Sequence, residues 1–525
     1  MGKRPICAAL AVLVSMGLVG SASAAAPALR VRVEGGWIRG AVRRNVLRFE
    51  GIPYAAPPVG RLRWAPPQPV KPWRGVRPAL HFGPDCMQLP TPGDMAPLRT
   101  VPAENCLYVN VWRPRNPSAR SLPVMVWIYG GGFVDGGTSP AVYDGSRFAR
   151  DGVVLVSFNY RLGNFGFFAF PALLRFGAAG NYALMDQVAA LQWVRRNITA
   201  FGGDPHNVTI FGESAGGMSV LALLESQRTG RLFQKAIVES GGGRANIMQA
   251  LPLHGGARSA EARGMRLARH FGITGQGPRA LEALRALPAT GVVDRLNMAT
   301  MGRDTAYAGG PILDHLLYLG APIEVFARGA GARVPVMIGT NSADIGFMPQ
   351  NSLKALFASF GPDAAAARAT YDPSGQRTLQ QVSALAGGDQ WMIEPARAIA
   401  RILSARGQRV YEYRFSYVAA SMRTTWGGAP HATEIPYVFD TVRAHYGRRT
   451  SRADRVMARD MQAYWVAFAK TGRPDPVGQP AWPEYHSDTD LLMNFTEHGP
   501  VAERDPWRKR LNLAERVARR SPPGH

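Results

Sequence analysis

Cysteine is scarce in this sequence, with three in 525 residues, and none stands at a spacing from histidine that suggests a zinc site. Lysine is scarce too, so the formal net charge of +24 rests almost wholly on arginine. The arginines are scattered. No basic run carries interleaved aromatics and no nucleic-acid motif is present, which speaks against a nucleic-acid partner. A scattered excess reads either as a compositional bias toward Arg, Ala and Gly or as attraction to an anionic partner, and both readings stay open. The apolar stretch from Ile6 to Val19 is too short and wrongly flanked to span a membrane. There is no internal repeat, no long linker and no sign of a second domain.

What is present begins with that apolar stretch. Lys3 and Arg4 precede it and Ala22-Ser23-Ala24 follows it, the layout of an export leader. Residues 1–24 are expected to be a signal peptide cleaved near Ala24, and 25–525 a single domain delivered to the periplasm or beyond. Cys7 leaves with the leader. Cys86 and Cys106 remain, an even pair that reads as one disulfide or as two free buried thiols. With 46% hydrophobic and 19% charged residues, the composition fits a globular chain with a sizeable core.

The chemistry concentrates in Asn207-Val-Thr-Ile-Phe-Gly-Glu-Ser-Ala-Gly-Gly217. Val208 to Phe211 is apolar and β-branched and predicts a buried strand. It runs into Gly212-Glu213-Ser214-Ala215-Gly216, a G-x-S-x-G, and then into a helix from Met218. A strand, a tight glycine turn and a helix can hold a serine hydroxyl clear of the backbone as a nucleophile. The free N–H groups at the helix start favour a developing oxyanion nearby. G-x-S-x-G alone is weak, so the partners matter. Leu122 to Tyr129 predicts another strand, ending in Gly130-Gly131-Gly132, which can turn backbone N–H groups into one concavity. Further strands are predicted at Val153 to Asn159, Ala236 to Ser240, Val334 to Gly339 and Val410 to Val418. The last is assigned from its apolar–polar alternation. Helical patterns fall between them, around 180–197, 259–270, 279–287, 390–403 and 452–471. Strands alternating with helices predict an α/β fold with a central, mostly parallel sheet flanked by helices. Residues 244–330 read as a helical insertion over the C-terminal edge of that sheet, and the basic tail from Arg508 reads as fraying.

Two segments carry a family likeness. Phe49-Glu-Gly-Ile-Pro-Tyr-Ala-Ala-Pro-Pro-Val-Gly-Arg-Leu-Arg-Trp64 and Glu104-Asn105-Cys106-Leu-Tyr-Val-Asn-Val-Trp112 resemble the signatures of the type-B carboxylesterase/cholinesterase family of α/β-hydrolases. Asn105 stands where that family usually carries Asp. The resemblance runs from about Val31 to Phe495. It implies an α/β-hydrolase fold, a Cys86–Cys106 disulfide and an Arg63–Glu104 ion pair. It also implies oxyanion N–H donors at Gly131 and Gly132, joined by that of Ala215 after the nucleophile. In the family pattern the acid after the strand 334–339 falls on Asp344, where Glu is usual. Asp314, in a strand-edge setting that looks structural, is the competitor. Of the ten histidines, His431 alone sits in a Gly/Pro loop after a strand and before a helix-like run. Glu213, Ser240 and Glu434 match supporting family residues.

Ser214, Asp344 and His431 then stand in the order nucleophile, acid, base, the α/β-hydrolase order. The expected activity is serine-dependent hydrolysis of a small-molecule carboxylic ester through an acyl-enzyme, without metal or organic cofactor. The alternative is a catalytically silent or polyanion-binding protein on the same fold. Val134, Trp426 and the 244–330 insertion are expected to shape the pocket, and the positive charge raises esters of anionic acids as a substrate class.

Overall fold

A computed structural model of the chain describes residues 1–2, 29–91, 93–116, 121–174, 180–244, 250–301 and 306–520. The leader expected over 1–24 lies outside the described residues from Lys3 onward. An 11-stranded sheet organises the molecule. Its strands are β1 (Ala41–Arg43), β2 (Val46–Pro53), β3 (Tyr108–Pro114), β4 (Leu122–Ile128), β5 (Val154–Phe158), β6 (Gly203–Glu213), β7 (Lys235–Glu239), β8 (Val336–Asn341), β9 (Val410–Phe415), β10 (Leu491–Thr496) and β11 (Gly499–Arg504). They lie in the order β11-β10-β9-β8-β7-β6-β4-β5-β3-β2-β1. From β10 through β5 neighbours pair parallel, and antiparallel strands close both edges. Parallel strands need covered faces, and β5, β7, β8 and β9 are buried along their whole length.

Helices flank this sheet. Ala215–Glu225 packs on β6 and β7, and Glu394–Ala405 on β8 and β9. Helix Arg452–Thr471 presses Trp465 between the rings of Tyr413 and Phe495. Its start is fixed by Ser451 and Asp454, each side chain accepting from the other's backbone N–H. The sheet-flanking arrangement follows the alternation of strand and helix legible in the sequence.

β6 begins at Gly203 with an irregular start. β9 forms as expected from its alternation, but both of its faces are covered. Glu412 and Arg414 are buried, and Arg414 pairs with Asp505 at 3.3 Å while stacking over Trp507. One reading is corrected: the basic tail does not fray. Arg508–Arg520 is a helix whose Leu511, Leu513 and Ala514 are buried. An apolar stripe at helical spacing decides this, and the arginines around it find carboxylates.

Candidate active site

The residues expected to carry the chemistry sit at the carboxyl ends of strands in the parallel part of the sheet. Gly130 to Gly132 follow β4, Ser214 follows β6, Ser240 follows β7, Asp344 follows β8, and His431 lies in the loop after β9. Parallel strands bring these ends to one edge, where an α/β sheet forms its binding crevice.

Ser214 holds φ 57° and ψ −122°, a left-handed backbone that a serine adopts only under constraint. The constraint is visible on both sides of the residue. Its N–H donates to the carbonyl of Glu239, and its carbonyl accepts from Met218 N–H in the following helix. A side chain at Gly216 would stand 2.0 Å from the carbonyl oxygen of Ile128, so only glycine lets the helix start this close to β4. Gly131 and Gly132 also have positive φ, at 94° and 59°. Among the described residues, the N–H groups of Gly131, Gly132 and Ala215 have no backbone or side-chain acceptor outside regular elements.

Asp344 and His431 meet. His431 Nδ1 lies 2.6 Å from Asp344 Oδ1. The two loops are stitched together. Ala343 N–H donates to the Ala429 carbonyl, Ala429 N–H to the Ser342 hydroxyl, and Asn341 Nδ2 to the Pro430 carbonyl. Asp344 Oδ2 accepts from the Ser240 hydroxyl at 2.7 Å and from Asn341 N–H at 3.0 Å, while Oδ1 also accepts from Ile345 N–H. Burial alone would raise this carboxyl, but the His431 charge and these donors outweigh it and hold Asp344 below the ordinary range. An ionised Asp344 only accepts, which fixes the proton of a neutral His431 on Nδ1.

Glu213 lies 3.2 Å from the other ring nitrogen, His431 Nε2. Burial raises its carboxyl to about 8, against the pull of His431. Glu434 accepts from Asn341 Nδ2 and is likewise raised by burial to about 8. Glu239, bonded to Trp465 Nε1, follows the same pattern. For His431, burial works against the charged form, but the carboxylates of Glu213 and Asp344 outweigh it and raise the imidazole. Asp314 is remote from this network. It accepts three backbone N–H groups of its own loop, from Leu316, Leu317 and Tyr318.

Ser214, His431, Glu213 and Gly130 to Gly132 line one cavity of about 840 Å³. The other walls were not legible as such. Met95, Met218, Met298, Met301 and Met392 line it with Ile345, Phe347 and Trp391, and Asp94 and Asp135 add carboxylates. Val134 and Trp426, expected in the pocket, are not among the lining residues. Val134 is 2% exposed and packs in the core. The insertion does contribute, through Met298 and Met301, whose sulfurs lie against Gly132. Among the described residues, no group of three or more His, Cys, Asp or Glu is placed to hold a metal ion. No helix among them is long and apolar enough to cross a membrane.

Beside the cavity, Cys86 and Cys106 are joined as a disulfide. Arg63 forms a two-pronged ion pair with Glu104, with Nε 2.8 Å from Oε2, and also donates to the Leu287 carbonyl of the insertion. Asn105 is exposed and accepts from the Tyr108 hydroxyl.

The profile of the carboxylesterase family matches residues 27–371 and 365–513. The chain belongs to the carboxylesterase family. The match extends beyond the span of the sequence likeness, into the C-terminal helix. Para-nitrobenzyl esterase of Bacillus subtilis is 36% identical over 479 residues, covering 87% of this chain and 93% of that one. Fumonisin B1 esterase of Sphingopyxis macrogoltabida is 34% identical, covering 90% and 87%. Acetylcholinesterase of Bungarus fasciatus is 32% identical, covering 92% and 85%. A solved structure of PNB esterase superposes with a TM-score of 0.79 at 33% identity, over 92% of this chain and 99% of that one. The fold is that of an α/β-hydrolase, and this carboxylesterase is a carboxylic-ester hydrolase acting on a small-molecule ester.

Proposed function

We propose that this carboxylesterase works through Ser214, His431 and Asp344, with the N–H groups of Gly131, Gly132 and Ala215 as oxyanion hole. The observation that carries the reading is the 2.6 Å contact of His431 Nδ1 with a buried, ionised Asp344, beside a cavity that Ser214 shares. With its proton on Nδ1, His431 keeps the Nε2 lone pair for the Ser214 proton as the hydroxyl oxygen attacks the ester carbonyl. Glu213 lies beside Nε2, its carboxyl pushed by burial toward the acid form. The carbonyl oxygen becomes an oxyanion that the three N–H groups receive, on the order of 3 kcal/mol per donor. His431 returns the proton to the leaving alcohol. Water then attacks the acyl-enzyme by the same route and frees the acid. Ser240 and Asn341 hold Asp344, while Glu434, through Asn341, holds the loop that carries His431.

The cavity favours neutral esters with an apolar acyl or alcohol group. Its described lining holds five methionines, Trp391 and Phe347, and no Lys or Arg. Its acidic side chains are those of Asp94, Asp135 and Glu213. The net charge of +24 therefore belongs to the rest of the surface and does not favour anionic esters at the reacting centre. The Cys86–Cys106 disulfide supports an oxidising compartment and so the export reading, with 25–525 as one catalytic domain.

The test is a panel of p-nitrophenyl esters, from short to long acyl chain with one anionic member, run with Ser214→Ala. The expected result is turnover of the neutral esters, poor turnover of the anionic one, and loss of all turnover in the folded variant. Esterase activity retained in Ser214→Ala would sink the mechanism.

A further inference from the structure

The C-terminal helix Arg508–Arg520 lies on the back of one cavity wall. That wall comes from an interrupted helix. Leu379–Gly388 and Glu394–Ala405 are joined by a π-helical turn, Asp389–Ile393. Pro395 gives a reason for the widening, because it has no N–H for the Trp391 carbonyl four residues earlier. The turn places Trp391 and Met392 in the cavity lining. Trp391 packs on Phe347, with ring centroids 4.7 Å apart, and Phe347 is 56% exposed toward the same space.

The back of this turn is held by the helix. Leu511, fully buried, joins Met392 and Ile393 in a small apolar cluster, against which Trp391, Met218 and Trp507 pack. Arg510 Nη2 donates to Asp389 Oδ1 at 2.8 Å, and its Nε lies 2.7 Å from Oδ2. Asp389, the first residue of the turn, has no exposed side-chain surface and also accepts from the Tyr371 hydroxyl. The Arg510 guanidinium stacks 4.0 Å from the Trp507 ring centroid. By contrast, Arg516 and Arg520 pair with Asp363 further along the helix while remaining about half exposed. Exposed pairs of that kind hold little, whereas a buried carboxylate that loses its cation leaves an uncompensated charge.

The helix that runs into the turn is also tied to the loop of Asp344. Side chains at Gly346 or Gly387 would each stand within 2.3 Å of the other segment's backbone, so the two backbones touch. Met348 N–H donates to the Ser383 hydroxyl, which donates back to the Met348 carbonyl.

We propose that the C-terminal helix sets the large-substrate side of the cavity, with Arg510 as a positioning residue that holds the Trp391–Met392–Phe347 wall through Asp389. This rests on the esterase mechanism above only for which substrates feel the wall. The residues that carry the chemistry hang on the sheet, so a loosened wall changes how a long acyl chain is held before it changes the bond-making step.

Arg510→Gln, Arg510→Lys and Arg516→Gln are compared in the full chain. Amide hydrogen exchange is followed over 386–393, and KM and kcat are measured for p-nitrophenyl acetate and octanoate. Arg510→Gln should speed exchange in that segment and raise KM for octanoate on the order of tenfold, leaving kcat on both esters and KM for acetate within about twofold. Arg510→Lys should fall between it and the parent, and it serves alone if Arg510→Gln does not fold. Arg516→Gln should match the parent. Unchanged exchange in the Arg510 variants overturns the proposal. So does an equal KM rise for both esters, or an Arg516→Gln variant that loosens 386–393 as much. If the parent hydrolyses neither ester, the mechanism above fails while the exchange measurement still decides whether Arg510 holds the wall.

Discussion

The two sides of the His431 imidazole face buried carboxyl groups of opposite character. On the Nδ1 side, Asp344 accepts from Ser240, Asn341, Ile345 and His431 itself and is held below the ordinary range. On the Nε2 side, Glu213 Oε1 accepts no hydrogen bond among the described residues, and burial raises the group to about 8. Both groups are buried at the same sheet edge. What separates them is the number of donors aimed at each, since desolvation favours the acid and hydrogen bonds favour the anion. A single imidazole thereby lies between one carboxyl held toward the anion by its donors and one pushed toward the acid by burial.

The comparison can be broken most severely at Asp344. Asp344→Asn presents an amide to Nδ1 and should cost about 10⁴-fold in kcat/KM, with the fold retained by circular dichroism. Asp314→Asn should stay within about twofold, because Asp314 serves only its own loop. Large loss in Asp314→Asn and little in Asp344→Asn would exchange the two roles.

Protonated carboxyls leave a second mark, on stability. Glu239 has a folded-state value of about 8 against an ordinary 4.5, so between these the folded protein keeps a proton that the unfolded chain has released. Stability from this group therefore falls as pH rises from about 4.5 to about 8. Asp344 runs the other way, its contribution being present above the ordinary carboxylate value and lost as pH falls through its lowered one. Tm should decline from about pH 5 to about pH 8, and Glu239→Gln should flatten that decline. A variant with the parent's slope would show Glu239 ionised in the folded state.

Smaller effects sharpen the contrast. Glu213→Gln replaces a neutral acid by a neutral amide of similar shape, so at pH 6 the loss in kcat should be under about tenfold, far from that of Asp344→Asn. A loss as great as at Asp344 would show Glu213 to be charged. Ser240→Ala removes one donor of four and should cost about 1 kcal/mol, roughly fivefold in kcat/KM, with the acid limb of the pH profile moved upward. An unmoved limb would deny Ser240 any share in holding Asp344 ionised.

The strand–turn–helix around Ser214, the glycine run after β4 and the parallel sheet were legible in the residues. These rest on local rules: β-branched runs, glycine where no Cβ fits, and alternation of strand with helix. Asp344 as the acid came from the family likeness, and with it the order of Ser214, Asp344 and His431. The arginine-rich end from Arg508 was illegible for the opposite reason. Its helix is marginal alone and exists because Asp389 and Asp490 answer its arginines and because Leu511 and Leu513 find apolar partners far away in the chain. Burial of Glu412 and Arg414 in β9 was hidden likewise, since alternation reports a face and not what covers it. Which methionines and aromatics wall the cavity, and which carboxyls are pushed toward the acid form, follows from tertiary packing. Both depend on neighbours brought together from distant segments, and a linear pattern carries no record of desolvation.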